Sequence, residues 1–315
     1  MTDGRLMLLD TAALYFRAFY GIPDTVRGPD GSPVNAVRGL LDMIARLVGD
    51  FRPTELVACW DDDWRPQWRV DLIPSYKAHR VAEVVHGVPD VEVAPDLLVP
   101  QVPIIVEMLT ALGIAIVGRP GYEADDIIGT LAATAPGPVD VVTGDRDLFQ
   151  VIDDARGVRV VYTARGMSNL EIVTNGVLLS KYGVTAAQYA DFAALRGDAS
   201  DGLPGVAGIG EKTAASLLAE FGTLDGIIAA AQDSHSALSA RVREKIRAAD
   251  DYLSRARAVV AVARDLELPA FDASIRIPDA GRDEIERLRA RWGLGDSVTR
   301  AVAALDLAAQ APFPN

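Results

Sequence analysis

The sequence is poor in the residues that build cross-links and soft-metal sites. Its 315 residues include one cysteine, Cys59, and three histidines, His79, His86 and His235. A disulfide framework and a usual zinc site are thereby excluded, and any metal must be a hard cation on oxygen ligands. No apolar run approaches the roughly 18 residues of a membrane span. The opening Met1-Thr2-Asp3-Gly4-Arg5 has no signal-peptide pattern. The chain therefore reads as soluble and cytoplasmic, with no membrane partner. Lysine is also scarce, with Lys77, Lys181, Lys212 and Lys245 alone among 31 basic residues. The net charge of −13 argues against a protein that coats nucleic acid nonspecifically. A local basic track stays compatible with that charge if metal ions neutralise an acidic cluster.

What is present is apolar and punctuated. With 50% hydrophobic residues, the chain can bury a large core and fits one large domain plus a smaller one. Short apolar strands are expected at 5–10, 55–61, 114–118, 139–145 and 159–163. Helical segments are expected between them at 12–20, 34–48, 103–112 and 124–134. Alternation of this kind predicts a parallel sheet with helices on both faces. From Thr174 to about Arg264 the pattern is helical, with breaks at Gly183, at 197–210 and at Gly222. The last fifty residues read as an appended helical segment ending in a frayed A-P-F-P-N.

Asp10, Asp61 and Asp145 each close an apolar strand, where open α/β sheets present their ligand crevice. Glu123 and Asp126 are three apart at a helix start, with Asp125 beside them, where the helix dipole favours anions. Asp147 can share a crevice with Asp145 if the loop is extended. E-A-D-D alone also fits a helix cap, and a lone Asp after a strand also fits a turn. The conjunction asks for more, because converging like charges cost stability unless a divalent cation sits between them.

These residues carry a resemblance. M-L-L-D (7–10), W-D (60–61), Y-K-A-H-R (76–80), G-Y-E-A-D-D (121–126), T-G-D-R-D (143–147) and G-D-A-S-D-G-L-P-G-V-A-G-I-G-E-K-T-A (197–214) follow the order found in the flap endonuclease/5′ nuclease family. That family includes the amino-terminal nuclease domains of bacterial DNA polymerase I and their free-standing relatives. The match covers roughly residues 5–260, and its last two motifs are highly specific. The chain carries no polymerase domain, so it resembles a stand-alone member.

The resemblance implies an α/β, parallel-sheet PIN-like nuclease domain at 1–173 and a helical domain at 174–315. The helical domain would contain a helix-hairpin-helix motif at about 197–220 and a C-terminal helical segment. It further implies a metal-dependent 5′ flap endonuclease and 5′-3′ exonuclease of replication or repair, releasing 5′-phosphate products from DNA flaps and junctions, and acting as a monomer. Asp10, Asp61, Glu123, Asp125, Asp126, Asp145, Asp147, Asp198 and Asp201 match the family's metal-binding carboxylates. Two or more Mg2+ or Mn2+ ions would be held there, and ions about 4 Å apart suit an in-line displacement at phosphorus. Asp125, Asp126, Asp145 and Asp147 are expected nearest the metals, with Asp125 and Asp145 central to catalysis. Asp198 and Asp201 face together if helical.

Y-K-A-H-R also fits a solvated basic turn, but beside the carboxylates its compact ammonium suits a phosphate. By resemblance Lys77 contacts the scissile phosphate, Arg80 helps steer it, and Tyr76 stacks on a base. Arg17, Tyr20 and Arg69 are further DNA-contact candidates, although the aromatics around position 20 also fit a core. Trp64, Arg65 and Trp68 combine stacking faces with a guanidinium. In the hairpin, Gly205, Gly208 and Gly210 permit close backbone approach, and Lys212 and Thr213 open a helix whose first amides can hold a phosphate. The resemblance adds a monovalent cation, typically potassium, on hairpin carbonyls. Residues 81–102 depart from a helical arch, because Pro89, Pro95 and Pro100 oppose a continuous helix; a mobile gate is expected there.

Rival readings are a PIN-type ribonuclease, which lacks the glycine hairpin, and a catalytically weak structure-specific DNA-binding scaffold. A haloacid-type phosphatase is disfavoured because Ala12 stands where a second Asp is needed.

Overall fold

The computed structural model describes residues 4–84 and 90–310. Strand β1 (Leu6–Asp10) leads into α1 (Thr11–Gly21), then α2 (Asn35–Phe51) and β2 (Glu55–Cys59). Next come α3 (Gln67–Leu72), a hairpin of β3 (Val81–Glu83) and β4 (Val91–Glu92), α4 (Gln101–Ala111) and β5 (Ala115–Val117). Helix α5 (Ala124–Thr134) precedes β6 (Val139–Thr143), β7 (Val158–Tyr162) and β8 (Glu171–Val173). The rest is helical: α6 (Asn175–Tyr182), α7 (Tyr189–Arg196), α8 (Glu211–Phe221), α9 (Leu224–Gln232), α10 (Ala240–Ala248), α11 (Asp250–Val260), α12 (Asp279–Trp292) and α13 (Asp296–Gln310).

Six strands form one sheet in the order β5-β2-β1-β6-β7-β8. All neighbours are parallel except β8, which runs antiparallel to β7 and was not anticipated in the sequence. Strand β1 is buried throughout and alternates between two cores. Leu6 and Leu8 turn to one face, with Ile127, Ile128 and the helical region. Met7 and Leu9 turn to the other, with Leu40, Leu41, Ile44 and Met108. Each such side chain contributes about 1.5–3 kcal/mol on burial, so the register of β1 is strongly specified. β1 lies between β2 and β6, at the point where the chain's crossovers reverse direction, and this places a crevice above the carboxyl ends of all three.

Two expectations change. α12 packs on α4, and α13 runs along α2; Ile285, Leu288, Val298 and Leu305 join the second core. The C-terminal segment thus packs on the helices α4 and α2 of the first half and is not an appendage of the helical region. The 81–102 stretch opens as the β3–β4 hairpin, with residues 85–89 outside the described residues, and α4 starts at Gln101, tolerating Pro103 in its first turn. The closing A-P-F-P-N also lies outside them. Among the described residues no single helix is long and apolar enough to cross a membrane.

Candidate active site

The crevice is a cleft of about 890 Å³ lined by Asp10, Asp61, Glu123, Asp125, Asp145 and Asp198, with Arg17, Tyr20, Lys77 and Arg80 also on its walls. Asp10 caps α1, its Oδ1 accepting from Ala13 N at 3.1 Å. Its Oδ2 accepts from Thr143 Oγ1 at 2.6 Å, and that hydroxyl in turn accepts from Asp145 N at 2.9 Å. Thr143 therefore joins the ends of β1 and β6. Asp61 Oδ1 accepts from Ala124 N at 2.8 Å, fastening the β2 end to the start of α5.

Burial is the main strain on these acids. It pushes the Asp10 carboxyl up to about 7, partly offset by Thr143 and reinforced by Asp61 and Asp145. Asp61 rises to about 6, mainly through burial, against the bond from Ala124. Burial and then Asp145 hold Asp125 well above the ordinary range. Asp147 is raised by the same two causes, and its Oδ1 is buried without a hydrogen-bond partner among the described residues. Asp201 goes to about 6 through burial, opposed by Lys77.

Glu123 and Asp126 are arranged differently. Arg69 is 2% exposed and grips Asp126 with Nη1 and Nη2, both at 2.8 Å, while Nη1 also reaches Glu123 Oε2 at 2.8 Å. Asp126 further accepts from Ala263 N at 2.9 Å and Glu123 N at 3.2 Å. Its four acceptor directions are taken, so it anchors the wall from behind. Glu123 accepts from Tyr76 OH at 2.7 Å and from Lys77 Nζ at 2.6 Å. Burial alone would pull the Lys77 ammonium down, but Glu123, Tyr76 and Asp201 hold it well above its usual value.

Two expected DNA contacts are therefore corrected. Arg69 faces carboxylates and the backbone of α11, and Tyr76, 2% exposed, has its hydroxyl on Glu123. Neither presents a face to a base. Arg80 pairs with Glu92 and lies over the Trp64 ring at 5.5 Å. Trp64 and Trp68 donate to the Asp90 and Gly121 carbonyls, and Arg65 pairs with Asp90 at 2.6 Å. Tyr20, by contrast, is 73% exposed, and the Arg17 Nε has no hydrogen-bond partner among the described residues.

Asp198 and Asp201 occupy a turn closed by paired bonds between Asp198 and Leu203, not a helix. Asp198 accepts from Ser200 N at 2.9 Å and from Arg196 at 3.3 Å. The turn is pinned to the Lys77 segment: Lys77 N donates to Asp201 O at 3.0 Å, and Ser75 Oγ donates to Gly202 O at 2.8 Å. Lys77 has φ +47, a left-handed conformation that costs a bulky residue about 1–3 kcal/mol and persists only where neighbours impose it.

The hairpin follows. Gly205 and Gly208 take φ +64 and +70, and Gly210 caps α8, which begins with exposed Glu211, Lys212 and Thr213. Lys245, which the sequence did not single out, donates to Gly208 O at 2.7 Å. Thr143, Arg196 and Ser200 were also missed. Only Thr143 had a local signal, as the last strand residue before G-D.

Among the described residues no three His, Cys, Asp or Glu side chains stand close enough to hold one ion as they are placed. The donor chemistry nevertheless fits a hard cation: the convergent groups are all carboxylates, several carry a desolvation burden, and one buried oxygen lacks a partner.

A parallel sheet with an acidic crevice at its strand ends, next to a glycine hairpin and helix, defines a nuclease. Residues 5–183 match the model for the 5′-3′ exonuclease N-terminal resolvase-like domain, and residues 184–281 match that for its C-terminal SAM fold. The chain belongs to the 5′-3′ exonuclease family. It is 60% identical to a Streptomyces coelicolor 5′-3′ exonuclease over 301 residues, covering 95% of this chain and 99% of that one. It is 40% identical over 287 residues to DNA polymerase I of Mycobacterium bovis, covering 90% of this chain but 30% of the polymerase. Among solved structures, the bacteriophage T5 flap endonuclease in a pseudo-enzyme-product complex with DNA and metal ions superposes with a TM-score of 0.61. That match has 16% identity and covers 98% of this chain and 100% of the other; it establishes the shared fold.

Proposed function

We propose that the chain is a structure-specific 5′ nuclease that hydrolyses DNA phosphodiesters at 5′ flaps and single-strand/duplex junctions in replication or repair, leaving 5′ phosphates. The observation that carries this reading is the meeting of Asp10, Asp61, Asp125 and Asp145 at one strand-end crevice with Lys77 and Arg17 on the same walls. Asp10, Asp61, Asp125, Asp145 and Asp147, with Asp198 and Asp201 on the far turn, would hold Mg2+ or Mn2+. Two or more such ions supply activation of a water and neutralisation of charge at the phosphate. Glu123 meets the crevice through Lys77, and Asp126 serves as its anchor.

Lys77 supplies the protein's own cation. In exchanging Glu123 Oε1 for a phosphate oxygen, its ammonium would stabilise the charge that develops in the transition state. Arg80 would steer the phosphate by leaving Glu92. Arg17 and Tyr20 reach the DNA on the opposite wall. The hairpin from Gly205 to Gly210, with Lys212 and Thr213, would hold the duplex backbone, with potassium on its carbonyls; one of these, Gly208 O, already draws the Lys245 ammonium. The domain limits are proposed at 1–173 and 174–315, with the final helices α12 and α13 packing back on α4 and α2. One chain can bring the crevice acids and the hairpin together, and the active form is proposed as a monomer acting in the cytoplasm.

A 5′-flap DNA labelled at both ends, incubated with Mg2+, Mn2+ or EDTA, tests the reading. Metal-dependent products with 5′ phosphates are expected. Preference for matched RNA would select a ribonuclease instead, and junction binding without turnover a scaffold.

A further inference from the structure

Behind the carboxylate wall the last two residues of α11 and the chain leaving it form a strap, residues 259–264, whose backbone is bonded to the same side chains that hold the acids. Gln150 Nε2 donates to Asp147 O at 2.8 Å and to Val260 O at 3.0 Å. Its Oε1 accepts from Val262 N at 3.0 Å, and its backbone carbonyl accepts from Arg264 Nη2 at 2.6 Å. Gln150 is 4% exposed, and its three side-chain bonds are made away from water. On the neighbouring line Arg69 Nε donates to Val259 O at 3.0 Å while its Nη groups hold Asp126 and Glu123, and Ala263 N donates to Asp126. The strap lies directly on α5, where a Cβ at Gly129 would come within 2.4 Å of Ala263 O.

A carboxamide that satisfies two carbonyls and one amide at once has one orientation. Gln150 lies in the same short 3₁₀ turn as Asp147, residues Asp147–Val151, so fixing Gln150 fixes where that turn sits. α11 packs on α7 and α3, and α7 runs into the Asp198 turn. The exit of α11 is therefore tied to both sides of the crevice.

We propose that Gln150 is a positioning residue for Asp147, acting through the 259–264 strap, with Arg69 as the matching tie for Glu123 and Asp126. The seating of the helical region then sets the geometry of the acids. This rests on the nuclease reading above.

The test compares Gln150→Met, which keeps length but loses the bonds, and Gln150→Glu, which keeps only the acceptor, with Leu178→Ala, a buried change elsewhere in the same core. Mn2+ affinity is read by electron paramagnetic resonance, cleavage of the 5′-flap by kcat and KM, and DNA affinity in EDTA by anisotropy. Both Gln150 variants should bind Mn2+ at least about tenfold more weakly, as loss of an outer-shell support does. Their kcat should fall with KM and metal-free DNA affinity unchanged, while Leu178→Ala keeps wild-type Mn2+ affinity at equal or greater loss of Tm. Wild-type Mn2+ affinity in a folded Gln150 variant, or a parallel loss in Leu178→Ala, overturns the proposal. Absence of flap cleavage by the wild type would overturn the nuclease reading alone, because the Mn2+ titration still decides the positioning.

Discussion

The Lys77 ammonium lies 2.6 Å from Glu123 Oε1, on the wall of the carboxylate crevice. It is thus stored against an acid and held by the left-handed backbone at its own Cα. Lys77→Ala should lower kcat by about 10²–10³-fold, the loss typical of a donor aimed at developing charge. Affinity for flap DNA in EDTA should change little. Single-turnover cleavage and anisotropy measure the two, and equal losses would remove the phosphate role.

Arg69 answers to a different measurement. It is the buried partner of both Asp126 and Glu123, and Arg69→Met leaves Asp126 inside without its cation and Glu123 with Lys77 alone. Urea unfolding should show a loss of about 3–5 kcal/mol. Arg69→Lys should recover little of it, because one ammonium cannot bridge both acids while reaching Val259 O.

These two residues mark what was legible in the sequence. The strands that lead to Asp10, Asp61 and Asp145 were readable, because short apolar runs bounded by turn residues suit buried strands, although Asp61 and Asp145 stand two residues past the ends of β2 and β6. So was α5, whose observed limits are those expected. Arg69 and Tyr76 looked like surface groups because the basic and aromatic types suit DNA and a buried salt bridge alike; only long-range packing with Asp126 and α11 decides between them. Asp198 and Asp201 were read with a helical spacing, but Gly202, at φ +69, closes a turn instead. Gln150 had no signal, since its partners outside its own turn are more than 100 residues away along the chain.

Metal-free stability should depend on pH in a defined direction. Asp10 is raised from 3.8 to about 7, and Asp61 and Asp201 from 3.8 to about 6. The folded chain holds these protons after the unfolded chain has released them. Stability is therefore greatest below about pH 4 as far as these groups are concerned, falls as pH rises through 6 and 7, and levels off above. Thermal unfolding in EDTA should give a lower Tm at pH 8 than at pH 5.5, and added Mg2+ should recover most at the higher pH. A Tm that climbs across this range in EDTA would contradict the assigned burial.

Gly202 links the far carboxylates to Lys77. An added Cβ would lie 2.1 Å from Ser75 O, whereas Gly31, also at positive φ, has nothing within 4 Å. Gly202→Ala should reduce both Tm and kcat, while Gly31→Ala should cost only the backbone strain, about 1–2 kcal/mol, with kcat retained. Calorimetry and the flap assay compare them directly.

The return of α13 along α2 gives the chain an order of assembly. The sheet is encoded by the first half, but α2 and α4, which flank one of its faces, are themselves covered by α13 and α12 from much later in the chain. While a ribosome is still reading the helical region, the side of α2 that packs on α13 has no cover. The layer over α2 therefore closes only after synthesis of α13, and a chain stopped short at the end of α11 would carry an open apolar flank.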